Sequence, residues 1–379
     1  MSRLRAAVIG TGFMGRVHLE ALKRLGTVDV QAVCGSTLER ARRLADAFGV
    51  DRAESDYRTL LEDRAVDAVH VCTPNALHYP IASLALLGDK HVLCEKPLTT
   101  TTEDAEQLVR LARDHRRRNC TCHNLRYYPM VQQMRRMREA GELGDILVAQ
   151  GTYSQDWLMH DTDWNWRVDA DVAGPLRAVA DIGSHWCDMV EHVTGQTLTA
   201  VCADLATFHE TRVRPRASVE TFVTTAGGDH DARVAVSTDD FAAVLFHFGG
   251  RGRGAFTVSQ VSAGCKNRLT LEIYGTKAGA AWNQERPDEL WIGKRNANNQ
   301  LIVKDPSLLH EAARSYADLP GGHCEGYDDT FKQLFRRFYQ SIEEPGVEAE
   351  YPRFEDGLRQ LRILDAVLAS HRRRAWVDV

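Results

Sequence analysis

Apolar positions fall into two regimes along the chain. Through residue 125, short unbroken apolar runs alternate with stretches of helical period. Leu4–Ile9 reads as a strand, Met14–Leu25 as a helix, Val28–Val33 as a strand and Leu38–Phe48 as a helix. The rhythm continues with strands at Ala68–Cys72, His91–Cys94 and Cys120–His123 and helices at Leu77–Leu87 and Glu103–Arg117. Such alternation predicts a parallel, doubly wound sheet. Strands covered on both faces should read as near-continuous apolar runs, and these largely do.

After Asn124 the rhythm breaks. Helical patterns at Met130–Glu139 and Ile182–Val193 flank a strand pattern at Ile146–Thr152. Strand patterns then follow one another at Thr197–Phe208, Val219–Thr225, Ala242–Phe248, Gly254–Val261, Leu269–Tyr274 and Glu289–Ile292. Succession without intervening helices predicts a large, mostly antiparallel open sheet. Helices over Tyr327–Ile342 and Phe354–Ala369 close the chain. The expected fold is α/β, with residues 1–125 as one domain and residues 126–379 as an α+β second domain. No internal repeat breaks this division.

Composition narrows the function. A length of 379 residues suits two domains, and 44% apolar residues can supply a core to each. A net charge of −5 argues against nucleic acid or a membrane surface as partner. No apolar run approaches the roughly 20 residues a bilayer requires. The opening MSRLRAAVIGTG lacks the pattern of a secretory signal. The nine cysteines are odd in number and scattered, and Cys34, Cys72 and Cys94 end apolar runs as small hydrophobes. A reducing cytoplasm is the expected location.

Gly10-Thr11-Gly12-Phe13-Met14-Gly15 follows the first strand and opens the first helix. In that context the glycines predict a dinucleotide site: a tight turn at Gly10, close approach to a pyrophosphate at Gly12 and helix–strand packing at Gly15. The helix N-terminus supplies amide donors to the phosphates. The second strand ends Val33-Cys34-Gly35-Ser36-Thr37, without the acid that grips a ribose 2′-hydroxyl; Arg40 lies on the next helix. Ser36, Thr37 and Arg40 are the candidates there. NAD is the preferred cofactor, with NADP open.

Two further stretches carry chemistry. Cys94-Glu95-Lys96-Pro97 ends the fourth strand, at the sheet edge where ligands bind in such folds. An amine placed beside a nicotinamide can exchange a proton with a substrate hydroxyl; an ordinary surface lysine is an equal reading of Lys96 alone. Asp181, His185 and Asp188 stand at helical spacing, with His192 beyond. His185 is the acid/base candidate because histidine titrates nearest neutrality, and Asp181 could orient it or hold a hydroxyl. A capping aspartate and a core histidine are the competing reading. No metal is expected, since no further ligands cluster around this helix.

Together these motifs resemble the Gfo/Idh/MocA family of nicotinamide-dependent oxidoreductases over nearly the whole chain. The resemblance rests on Gly10–Gly15, Thr73-Pro74-Asn75 with His78, Glu95-Lys96-Pro97, Asn124 with Arg126, and Asp181 with His185. It implies a Rossmann domain followed by a sheet domain that often forms oligomer contacts, so a homodimer or homotetramer is expected. It places Lys96, Asp181 and His185 at catalytic positions. Phe13, Met14, Thr73, Pro74, Asn75, His78, Glu95, Lys96 and Asn124 fall to the cofactor, to which we add Trp166 and Arg167. The departure from the family pattern is at Gly35-Ser36.

For substrate, Tyr153, Asp156, Trp157 and Trp164 suit a carbohydrate, whose ring packs on aromatic faces while its hydroxyls meet polar groups. A core patch or subunit interface is the competing reading. Arg126, Lys266 and Arg268 could pair with an anionic group, and His323 and Tyr327 lie on a glycine-flanked loop before a helix, from which they could reach the site. The leading expectation is hydride transfer at a ring hydroxyl carbon of a pyranose or cyclitol. Members of this family also include redox-cycled NAD-dependent glycosidases, among them sulfoquinovosidases. That activity, and a non-catalytic dinucleotide sensor, are the alternatives.

Overall fold

A computed structural model describes residues 3–216, 221–222, 232–346 and 350–379. The chain begins β1 (Leu4–Ile9), α1 (Phe13–Leu25), β2 (Val28–Cys34), α2 (Leu38–Ala47), β3 (Arg52–Glu54), α3 (Arg58–Leu61), β4 (Ala68–Val71), α4 (His78–Leu87), β5 (His91–Cys94), α5 (Thr102–Asp114) and β6 (Asn119–Thr121). These six strands form a parallel sheet in the order β3-β2-β1-β4-β5-β6. Its centre is dry, with Ala6, Ala7, Val8, Val69 and Val71 at zero exposure. Local chemistry sets the helix ends. α1 stops at Gly26, whose φ of 72° allows a left-handed cap, and Thr101 starts α5 by accepting the Asp104 amide. β3 and α3 were not anticipated, because three or four residues carry no readable period.

The chain continues through α6 (Pro129–Glu139), β7 (Ile146–Ser154), α7 (Ala170–Ala173), α8 (Ser184–Thr194), β8 (Leu198–Ala206), β9 (Thr211–Arg214) and β10 (Ala232–Ala235). β11 (Phe241–Phe248), β12 (Gly252–Ser259), β13 (Arg268–Gly275), β14 (Gly279–Asn283), β15 (Glu289–Gly293) and β16 (Gln300–Val303) follow. α9 (Glu311–Arg314), α10 (Tyr327–Glu343), α11 (Phe354–Arg373) and β17 (Val377–Asp378) complete it. Nine strands form one sheet in the order β16-β15-β14-β13-β7-β12-β11-β8-β17. Among the described residues, the expected antiparallel character holds with one exception, the parallel β7–β12 pair at its centre. β9 and β10 make a separate ribbon. The strand expected at Val219–Thr225 falls largely outside the described residues.

The chain folds as two compact units. The first comprises Met1–Asn124, Asp171–Gly174 and Asp328–Leu361; the second comprises Leu125–Ala170, Pro175–Tyr327 and Arg362–Val379. A single boundary at residue 125 therefore misses the return of α10 to the first unit. That return is driven by the buried apolar face of α10, with Phe331, Leu334, Phe335 and Phe338 fully covered. The periodicity of α10 announced such a face without saying what it would meet.

Candidate active site

In the first unit, strand register gathers the predicted cofactor residues. Ile9 stands opposite Cys34 and Val71, Val71 opposite Cys94, and Cys94 opposite Thr121. Five strands therefore end level, and the loops that follow them open along one edge. Gly10 has φ of 124°, and a Cβ there would stand 2.3 Å from the Cys72 carbonyl oxygen. At Gly15 a Cβ would lie 2.0 Å from the Gly10 oxygen. At Gly12 it would meet nothing within 4 Å, and no side chain caps the start of α1. An uncapped helix start beside open space is what a pyrophosphate occupies. Thr73 adds a buried hydroxyl with no hydrogen-bond partner among the described residues. These features fit a nicotinamide dinucleotide.

Other predicted cofactor residues take supporting roles. Thr37 spends its hydroxyl capping α2, accepting the Arg40 amide at 3.2 Å, while Ser36 and the Arg40 side chain are exposed. His78 is buried, with its ring nitrogens 2.8 Å from the Pro97 carbonyl and 2.9 Å from that of Thr73. It ties those two loops together from behind, and burial pushes its pKa down. Asn75 donates to the Ala173 carbonyl at 2.9 Å and Asn124 to the Thr330 hydroxyl at 2.8 Å. Phe13 and Met14 stand at the start of α1, Phe13 exposed. Pro74 precedes the turn of Asn75. Lys96 is half-buried at the strand edge, next to a cis peptide to Pro97. Glu95 behind it is buried, 2.9 Å from His18 Nε2, and accepts the Lys96 amide at 3.2 Å. Burial alone would raise the Glu95 pKa; the His18 hydrogen bond and the Lys96 charge outweigh it and hold the group as a carboxylate.

In the second unit, Asp181 lies on a single π turn, Val179–Gly183, that runs directly into α8 and His185. π turns are rare and concentrate at functional sites. Asp181 accepts Arg167 Nε at 3.1 Å on one oxygen and Gln260 Nε2 at 2.9 Å on the other. His185 is buried with its ring 6.4 Å from that of Tyr153. Tyr153 donates to Asn267 Oδ1 at 2.8 Å, Gln155 donates to the same oxygen at 2.9 Å, and Trp157 Nε1 donates to Gln155 at 2.9 Å. Ser259 and Arg268 both stand opposite Ser154 in the sheet, so Gln155, Gln260 and Asn267 cluster at one end of three strands. The sequence reading missed these carboxamides. Their signal was an amide residue immediately beyond or before each of three adjacent strands, which is legible only once register is known.

Several candidate residues in this unit have partners within the protein. Arg126, a candidate for an anionic group, pairs with buried Asp188, Nε to Oδ2 at 2.7 Å. Lys266 pairs with Asp156 at 2.7 Å, so neither offers its full charge to a ligand. Trp157 and Trp164 pack against the buried cluster of Leu158, Val168 and Val236. Arg167, a cofactor candidate, stacks on Trp166 at 4.4 Å and donates to Asn165 and Asp181. Arg268 and His323 are exposed. The His323 carbonyl accepts from Lys304, which is buried against Glu325. In each case a neighbour distant in sequence satisfies the charge or covers the ring.

A level parallel strand edge opening on an uncapped helix start is the arrangement of a dinucleotide-binding domain. Comparison with known proteins agrees. The family described as "Oxidoreductase family, NAD-binding Rossmann fold" matches residues 4–123, and the "GFO/IDH/MocA C-terminal domain" matches residues 131–281. The chain belongs to the Gfo/Idh/MocA family of oxidoreductases. Levoglucosan dehydrogenase of Pseudarthrobacter phenanthrenivorans is 30% identical over 393 residues, covering 100% of this chain and 99% of that one. A solved levoglucosan dehydrogenase in complex with NADH and levoglucosan superposes with a TM-score of 0.89 at 28% identity, covering 100% of this chain and 99% of the other. An inositol dehydrogenase homologue complexed with NAD+ from Azotobacter vinelandii gives 0.87 at 25%, covering 100% and 98%. No helix among the described residues is long and apolar enough to cross a membrane.

Proposed function

We propose that this enzyme oxidises a ring secondary alcohol of a neutral pyranose, anhydrosugar or cyclitol to the ketone, or runs the reverse reduction. The observation that carries the reading is Asp181, held as an acceptor by Arg167 and Gln260 on a π turn that leads straight to His185. Bound NAD supplies the hydride acceptor for such an oxidation. The chain's own task is the hydroxyl proton, and we assign it to Lys96 and His185. Asp181 stays an acceptor throughout, because both its oxygens already meet donors, and so it can hold a substrate hydroxyl or favour the charged imidazole. Carboxamides at Gln155, Gln260 and Asn267 offer donors and acceptors suited to sugar hydroxyls.

The neutral-sugar reading is favoured by the pairing of Arg126 with Asp188 and Lys266 with Asp156, which engages two of the three basic residues an anionic sugar could use. The likeness to levoglucosan and inositol dehydrogenases supports the substrate class. A homodimer or homotetramer belongs to the same proposal, supported by Leu245, Leu301 and Val303 exposed on strands of the large sheet; sedimentation reads it.

The test is a panel of pyranoses, anhydrosugars, cyclitols and glycosides incubated with enzyme and NAD. The expected result is NADH and ketone formed one for one. Aglycone release with catalytic NAD and no net NADH would overturn the dehydrogenase reading in favour of a redox-cycled glycosidase. Lys96→Ala should lose turnover by about 100-fold, the usual contribution of a placed proton-transfer group; full turnover in that variant would revive a binding-only role.

A further inference from the structure

Behind Glu95, four buried side chains of the first unit form an unbroken line of hydrogen bonds. The Tyr339 hydroxyl lies 2.8 Å from His70 Nε2, His70 Nδ1 lies 3.0 Å from His18 Nδ1, and His18 Nε2 lies 2.9 Å from Glu95 Oε1. His18 and His70 have zero exposure, and their rings pack against Phe335 at 4.9 and 4.7 Å. None of these three outer residues belongs to the cofactor or substrate machinery described above.

One assignment of protons gives every polar atom in this line a partner. Burial pushes the Tyr339 phenol well above its ordinary range, so it keeps its proton; in this assignment it donates that proton to His70 Nε2. Burial also holds His70 neutral, so its one proton sits on Nδ1 and is donated to His18 Nδ1. His18 must then carry its proton on Nε2, where it meets the Glu95 carboxylate. Each group has one role, and every polar atom in the line is satisfied. His18, Glu95 and Cys122 bring possible metal-ligand atoms within 4.8 Å of one another, but the hydrogen bonds already account for the first two, and burial keeps the Cys122 thiol protonated. The line does not conduct protons either. Passing one to Glu95 would leave a tyrosinate in an apolar pocket.

We propose that Tyr339, His70 and His18 are positioning residues, which lock one imidazole tautomer against Glu95 and thereby fix the turn that presents Lys96. The link to Lys96 is direct, since the second Glu95 oxygen accepts the Lys96 amide. Without the Tyr339 hydroxyl, His70 Nε2 loses its donor, and the gap between this tautomer pair and its reverse narrows. In the reverse pair His18 would turn a lone pair toward the Glu95 carboxylate, and that carboxylate would move. The inference rests on the proposed role of Lys96.

The test uses the full chain with isotopically labelled histidine, in the parent, Tyr339→Phe, His18→Gln and the double variant. Nitrogen shifts should show His18 protonated on Nε2 and His70 on Nδ1 in the parent, and a mixture of tautomers in Tyr339→Phe. The Tyr339→Phe kcat should fall about fivefold, the equivalent of one hydrogen bond, with KM unchanged within twofold. His18→Gln keeps an N–H facing Glu95 independently of Tyr339. Adding Tyr339→Phe to it should therefore cost nothing further, which a merely structural loss would not reproduce. Unchanged tautomers in Tyr339→Phe, or additive losses in the double variant, would overturn the proposal. If the parent turns over no sugar, the functional reading fails while the tautomer spectra still decide the hydrogen-bond line.

Discussion

Gly12→Ala separates cofactor binding from folding. Gly12 has φ of −79° and ψ of −165°, a conformation open to any residue, and an added methyl touches nothing within 4 Å. Alanine in place of glycine before a helix costs up to about 1 kcal/mol, so the melting temperature should fall by only a few degrees. The same methyl stands where a pyrophosphate must approach the first amides of α1. Losing one charge-assisted hydrogen bond there, worth about 1.5–3 kcal/mol, weakens NADH binding roughly 10- to 150-fold. Fluorescence titration with NADH, alongside thermal melting, reads both quantities on one sample. Gly15→Ala is the contrast, because its Cβ would lie 2.0 Å from a backbone oxygen and must displace helix or strand; it should lose stability as well as binding. A Gly12→Ala protein that binds NADH within twofold of the parent would refute the phosphate placement.

Three further outcomes are expected. Asp181→Asn turns an amide donor toward Arg167 or Gln260 and should lower kcat about 100-fold with little change in melting temperature; turnover within twofold of the parent would remove Asp181 from the mechanism. Asp239, buried beneath the Arg177 and Val179 amides, has its pKa pushed up to about 6 by burial. A carboxyl raised above its unfolded value gives stability that is full below about pH 4 and lost as pH rises through 6. The stability of Asp239→Asn relative to the parent should therefore grow by about 3 kcal/mol between pH 4 and 7, and denaturant midpoints that stay parallel across that range would contradict it. Lys304→Met strands the buried Glu325 carboxylate and should cost about 3–5 kcal/mol, much of it restored by adding Glu325→Gln; a single variant with an unchanged urea midpoint would show the pair contributes nothing.

The first sheet was legible because its longer strands are mostly apolar and α1, α2 and α5 each have a periodic apolar face, and both signals are local. The phosphate turn was legible for the same reason, since Gly10, Gly12 and Gly15 act within six residues of one another. The second unit yielded its strand character but not its pairing. Nothing near Ile146–Thr152 indicates that β7 would pair in parallel with β12, more than a hundred residues later. The charged candidates fared worst. Arg126, Arg167 and Lys266 each looked available to a ligand, and each is claimed by an aspartate that only folding brings near.

The sequence alone determined the dinucleotide cradle, the strand-end lysine and the pairing of Asp181 with His185 on one helix approach, because each is written within a few consecutive residues. Tertiary structure decided which polar side chains remain for chemistry. It spent Asp188 on Arg126, set Gln260 against Asp181, and brought Tyr339 within 2.8 Å of a histidine 269 positions away. The physical reason is that a buried charge or hydroxyl must find a partner wherever the fold places one, and one-dimensional spacing carries no record of that choice.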